Sequence, residues 1–283
     1  KDKGGNIWGG SYNIPDDLMP QFWNLYYKKV FERGEHEHLT EAQGKENGGP
    51  LLVDIDMKFD ISVKDRTFGL TTISDIVELY GDGLADLFNF ESEVTIPIYI
   101  FHKDDVVQDE KNKYTKDGLH LVIGINMKHI YQEILRDIII HTEKNETKIF
   151  GEEGLNCTNS RENIFDDCIT LGRNNWQVWG SRKPGFDAYK LKYAWEVTIQ
   201  DDDVQIEPID IDTINIKKML PIISAKNKNF VKHPKIKKKH EHIVNTKSEE
   251  RANKKKNKKT INNSKKFLSN IHLALLDINL KLP

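Results

Sequence analysis

The stretch GGPLLVDIDMKFD, residues 48–60, constrains this chain more than any other. Leu51, Val53, Ile55 and Met57 alternate with Leu52, Asp54 and Asp56, the period of two that sends successive side chains to opposite faces of a β-strand. One face of that strand belongs in a core, and on the other two carboxylates emerge together. Like charges a few ångströms apart repel, and one takes up a proton unless a cation lies between them. A divalent metal ion meets that need. The strand therefore predicts a sheet with one buried face and one chemically open face.

The remaining periodicities mix helices with strands. IPDDLMPQFWNLYYKKVFERG reads as a helix with Leu18, Phe22, Tyr26 and Val30 near one face, and MKHIYQEILRDIIIHTEK is the clearest helix of the chain. ISDIVELYGDGLADLFNF reads as another, with a break expected at Gly81 or Gly83. EVTIPIYIFHKD, DGLHLVIGIN, KLKYAWEVTI and DVQIEPIDI read as strands, and IFDDCITL and WQVWGSRKP as short strand-like pieces. Several strands follow one another directly. That order argues for an α+β or split βαβ fold over a doubly wound parallel sheet.

The formal net charge of −2 hides an asymmetry. Residues 226–266 hold 16 Lys or Arg against 3 Asp or Glu, a net of +13, which leaves the rest of the chain at −15. A lysine tract attracts phosphate backbones without reading sequence. The composition change places a domain edge near residue 225: a body over 1–225, a lysine-rich linker or nucleic-acid-binding tail over 226–266, and an apolar helical segment over 267–283. No apolar run approaches the eighteen or so residues of a membrane span, and no charged-then-apolar leader opens the chain. Opening on Lys, not Met, suggests a piece of a longer protein. Cys157 and Cys168, in a polar stretch, are too few for a disulfide framework or a zinc site and read as free thiols of a reducing compartment. His102, His129, His141, His233, His240 and His242 have no cysteine partners at metal spacing and read as surface residues.

Three groups of residues carry chemistry. Asp54 and Asp56 suit Mg²⁺ or Mn²⁺, hard ions that prefer oxygen ligands and share their remaining positions with water and substrate phosphates. His120 lies in an apolar strand on the face of Gly118, where an imidazole either fills the core or donates to a nucleotide phosphate. Asp166 or Asp167 completes a carboxylate triad, and Arg182 and Lys183 of GSRKPG present two cations beside glycine and serine, suited to a triphosphate. Together they fit two-metal nucleotidyl transfer. No Walker-type phosphate loop is present.

The order DxD, then a strand with a small residue and His, then a hydrophobic residue followed by Asp, then a GS-K turn, resembles the catalytic domain of archaeo-eukaryotic primases. LLVDIDMKFD, DGLHLVIGINM and FDDCITLGRNNWQVWGSRKPG look closer still to the N-terminal primase domain of the primase-helicases of large nucleocytoplasmic DNA viruses. The resemblance spans residues 4–200 or so. It implies a small N-terminal α/β unit beside an RRM-like antiparallel sheet, with synthesis of RNA or DNA primers on single-stranded DNA from nucleoside triphosphates, in viral DNA replication inside a host cell. It also implies a helicase domain in the parent chain. By position, Asp54 and Asp56 match the metal-binding pair and His120 the nucleotide-contacting histidine. Asp166 fits the third carboxylate, with Asp167 as fallback, and Ser181, Arg182 and Lys183 match the turn that holds the incoming triphosphate. Gly118 stands where relatives often carry Ser. The competing functions are a DxD glycosyltransferase, against which stand the short chain before the motif and the basic tail, and a non-catalytic nucleic-acid-binding module, which leaves the aligned aspartates unexplained.

Overall fold

The computed structural model describes residues 9–44, 48–254 and 256. The elements, in chain order, are α1 (Met19–Tyr27), β1 (Thr40–Glu41), β2 (Gly49–Asp60), α2 (Leu70–Leu87), β3 (Phe88–Asn89) and β4 (Val94–His102). Next come β5 (Val107–Asp109), β6 (Tyr114–Met127), α3 (His129–Thr142), α4 (Arg161–Ile164), α5 (Asp167–Thr170) and β7 (Trp176–Gln177). The series ends with β8 (Lys190–Gln200), β9 (Asp203–Ile209), α6 (Ile216–Met219), β10 (Val231–Lys232) and β11 (Lys235–Ile236). The described residues up to Lys237 form one compact unit, and helix 238–254 belongs to a second.

The spine of the sheet is β6. Strand β2 runs antiparallel along its whole length, from Gly49 opposite Met127 to Asp60 opposite Tyr114, so β4, β5 and β10 share the other edge. Beyond β4 lie β8 and β9, giving the antiparallel order β2-β6-β4-β8-β9. The succession β2-α2-β4-β6-α3, with β6 inserted between the two strands that precede it, is the split pattern of an RRM-like sheet. The fold is α+β, as the pattern predicts.

The period of two in β2 is realised directly. Ile55, Met57 and Phe59 are buried on one face, joined there by Leu119, Leu121, Ile98 and Ile100. Each such side chain contributes roughly 1.5–3 kcal/mol of burial. Helix α2 packs against β8, β9 and α3 and is unbroken through both glycines. A Cβ on Gly81 would lie 2.6 Å from Val204, and one on Gly83 would lie 2.7 Å from Ile139. The glycines mark close approach, not a break. On the other face Leu52, Tyr99, Val122 and Ala194 are covered by Ile169, Trp176, Met219 and Ile223, which leaves the Asp54–Asp56 end open. Trp23 and Tyr26 of α1 pack on Val178 and Leu220, and β1 pairs with β7, forming the small N-terminal unit.

Three further expectations change. IFDDCITL is not a strand: α4 and α5 flank one bridging residue, Phe165 opposite Ile55, because Asp166 caps α5 by accepting from the Cys168 amide at 2.8 Å. The body does not end at 225, since Val231 pairs with Ile125 and Ile236 with Phe88, two short strand pairings set among lysines. His102, His129 and His240 are buried, and both ring nitrogens of His129 meet backbone carbonyls, of Thr170 at 3.0 Å and Gly44 at 2.7 Å. Both cysteines are free thiols, and no helix among the described residues is long and apolar enough to cross a membrane. The segment 267–283 lies outside the described residues.

Candidate active site

The pairing of β2 with β6 sets Asp54 opposite His120 and Asp56 opposite Gly118, all on the open face. Asp54 Oδ1 is buried, lies 3.5 Å from His120 Nε2, and has no hydrogen-bond partner among the described residues. An ionised oxygen in that position is costly. Burial pushes the Asp54 carboxyl up to about 7, with the Asp56 and Asp166 carboxylates adding to the rise against the pull of Lys116 and Lys183. Asp56 is better served, because Lys116 Nζ lies 2.8 Å from its Oδ1.

The third carboxylate arrives by backbone pairing. The Asp166 amide donates to the Asp54 carbonyl at 3.0 Å beside the Ile55–Phe165 bridge, and Arg136 Nε donates to the Phe165 carbonyl at 2.8 Å. Asp166 lines the cleft, whereas Asp167 does not and pairs instead with Arg173 at 3.4 Å. Asp166, Asp167 and Cys168 bring ligand atoms within 4.8 Å of one another, a proximity imposed by their adjacency at the start of α5.

His120 stacks on Tyr189, with centroids 3.6 Å apart and planes 13° from parallel, and meets Trp176 at 4.6 Å. Burial first, then the cations Lys183, Lys103 and Lys116, push its pKa down to about 3. The imidazole is therefore neutral at physiological pH and offers one N–H as donor.

The turn 180–187 separates its predicted residues. Gly180 has φ +87°, and a Cβ there would lie 2.8 Å from Phe31, so the close approach and the backbone both call for glycine. Ser181 is buried: its hydroxyl lies 2.8 Å from the Tyr26 hydroxyl and accepts from the Leu39 amide at 3.2 Å, and it is not on the wall of the cleft. It anchors the turn. Arg182 is held by its backbone, which donates to Glu37 at 2.9 Å and whose carbonyl lies 2.6 Å from His38 Nδ1. Its buried Nε has no hydrogen-bond partner among the described residues. Lys183 is exposed beside it.

Asp54, Asp56, His120, Asp166, Arg182 and Lys183 all line one cleft of about 1090 Å³. Sequence reasoning missed Lys116 and Tyr189. Lys116 was findable, since it precedes Gly118 and His120 at the same period of two in β6. Tyr189 carries no local signal, because its partnership with His120 is formed only by tertiary packing. The donor set fits a hard divalent cation: all the carboxylates offer oxygen, and the Asp54 Oδ1 is buried and unmatched.

Residues 6–195 match the family model described as the C962R protein N-terminal AEP domain, where AEP is the archaeo-eukaryotic primase. Over 175 residues, 62% of this chain, the sequence is 30% identical to the protein described as "Putative helicase L207/L206" of Acanthamoeba polyphaga mimivirus. The match spans 17% of that relative's length. Strand-borne aspartates, the facing histidine and the family match over two thirds of the sequence agree: the chain belongs to the archaeo-eukaryotic primase family, as a C962R-type N-terminal domain.

Proposed function

We propose that this domain is a template-dependent nucleotidyltransferase that makes primers on single-stranded DNA from nucleoside triphosphates. The observation that carries the reading is the convergence of Asp54, Asp56 and Asp166 with His120, Arg182 and Lys183 on one cleft. Asp54, Asp56 and Asp166 would hold Mg²⁺ or Mn²⁺. Bound there, such ions lower the pKa of an attacking 3′ hydroxyl and neutralise the charge of the triphosphate and its leaving group.

The chain's own residues do the rest. Lys183 and Arg182, with its unmatched Nε, supply charged donors to phosphate oxygens. Neutral His120 donates one N–H, and its ring is kept in place by Tyr189 and Trp176. Lys116 holds the Asp56 carboxylate in one orientation. Ser181, through Tyr26 and Leu39, fixes the turn on which the two cations sit. The helicase named among relatives supports a parent chain in which this domain precedes a helicase, acting in viral DNA replication within a host cell.

The test is templated incorporation. With Mg²⁺ or Mn²⁺, each homopolymeric single-stranded DNA should direct incorporation of its complementary nucleotide only. Incorporation indifferent to template, or none with either ion by folded protein that binds the template, would refute the proposal.

A further inference from the structure

Lys103 stands at the end of β4, and nothing in the sequence motifs singles it out. Its ammonium lies 5.0 Å from the Phe186 ring centroid and 5.4 Å from that of Tyr189, the ring that stacks on His120. It lines the same cleft as Asp54, Asp56 and Lys183. Among the described residues it has no carboxylate within ion-pair distance. The neighbouring Asp104 is already taken, by Lys190 and by Lys192 at 3.0 Å.

The backbone around this lysine is built with care. Arg66 grips Asp117 through Nε at 2.8 Å and Nη2 at 3.0 Å, and the same guanidinium donates to the carbonyls of Lys103 at 2.8 Å and Asp104 at 3.3 Å. Asp117 also accepts from the Gly118 amide at 2.9 Å. One fork thus ties the Lys103 turn to the part of β6 that faces Asp56. Burial, then Lys183 and Lys116, hold the Lys103 amine below its ordinary range. Asp187 and Asp56 act on it in the other sense without forming an ion pair with it, so the repulsion from the neighbouring lysines is only partly offset, and a phosphate placed among these cations relieves it further.

We propose that Lys103 is a phosphate-binding residue of this cleft, held by Arg66 and by the Phe186 and Tyr189 rings to grip a phosphate of the nucleotide ligand. The inference deepens the nucleotidyltransferase reading and rests on it for the identity of the ligand. Phosphate reaches such a site either as the triphosphate of the incoming nucleotide or as the backbone of the single strand.

Binding measured without turnover separates these sources and keeps the test apart from the reading of the reaction. Inorganic tripolyphosphate is titrated by calorimetry, and a labelled oligothymidylate by fluorescence anisotropy, into the full chain and into Lys103→Gln, Lys103→Arg and Lys148→Gln. Lys148 is a control outside the cleft, paired with Glu153. A lost charge-assisted contact should weaken affinity about tenfold to a hundredfold in Lys103→Gln, with most of it restored in Lys103→Arg and no change in Lys148→Gln. Loss confined to tripolyphosphate assigns the incoming nucleotide, and loss confined to oligothymidylate assigns the strand backbone. Unchanged affinity for both probes, in a Lys103→Gln protein with wild-type circular dichroism, overturns the proposal whether or not the chain incorporates nucleotides.

Discussion

Replacing Asp54 by Asn should make the metal-free protein more stable, not less. In the folded chain the Asp54 carboxyl is raised from 3.8 to about 7, chiefly by burial. The folded state therefore binds this proton more tightly than the unfolded state. Stability falls as pH rises from 3.8 towards 7 and is level above that, which is the reverse of a salt-bridged aspartate. At about 1.36 kcal/mol per unit, ionised Asp54 costs roughly 4 kcal/mol at pH 8. The Asn amide that replaces it is itself imperfectly paired, at about 1–3 kcal/mol. The net expectation is a gain on the order of 1–3 kcal/mol at pH 8. Urea denaturation of wild type and Asp54→Asn, each in chelator at pH 5 and pH 8, measures it. The advantage of the variant should be larger at pH 8, and saturating Mn²⁺ should erase it, since an ion at 100 times its Kd stabilises wild type alone by about 2.7 kcal/mol. Asp56→Asn should gain nothing, because it strands Lys116. A destabilised Asp54→Asn at both pH values, or an advantage that metal leaves untouched, would refute the reasoning.

Three further outcomes follow from other parts of the structure. Ser181→Ala should cost about 1–3 kcal/mol, because the Tyr26 hydroxyl and the Leu39 amide lose a buried partner. Tripolyphosphate affinity of the folded variant should stay within about twofold of wild type, whereas a hydroxyl that touched the ligand would leave a larger deficit. His120 should titrate at about 3 in the metal-free protein, so in Asp54→Asn, which removes the neighbouring carboxyl that titrates at about 7, its ring nitrogens in ¹⁵N NMR should show no inflection between pH 5 and 8; a midpoint near 6.5 would contradict the burial argument. A chain ending at Lys237 should fold cooperatively, whereas one ending at Ala225 should lose β10 and β11 and melt at lower temperature; equal melting of the two would return the boundary to residue 225.

The open face of the sheet was legible from LLVDIDMKFD alone, because a period of two in an apolar run leaves few alternatives to a half-buried strand. The facing histidine was legible in part. Its strand could be read from DGLHLVIGIN, yet Tyr189 and Trp176, which bury it and keep it neutral, come from far along the chain. The Ser181 hydroxyl illustrates the opposite limit: its motif suggested a ligand contact, and nothing local announced its hydrogen bond to Tyr26, 155 residues away. Composition misled at the C-terminal boundary, where two short strand pairings lie within a lysine-rich background. Helix α2 shows the same tension, since glycine lowers helix propensity but here admits Val204 and Ile139.

The central claim is that Asp54, Asp56 and Asp166 form the site of nucleotidyl transfer. Its most direct test is single-turnover nucleotide incorporation on single-stranded DNA with Mn²⁺, comparing wild type, Asp54→Asn with Asp56→Asn, Asp166→Asn and Asp167→Asn. The structure predicts product from wild type and from Asp167→Asn, and none above background from the other two. Undiminished product from the folded double variant would contradict it.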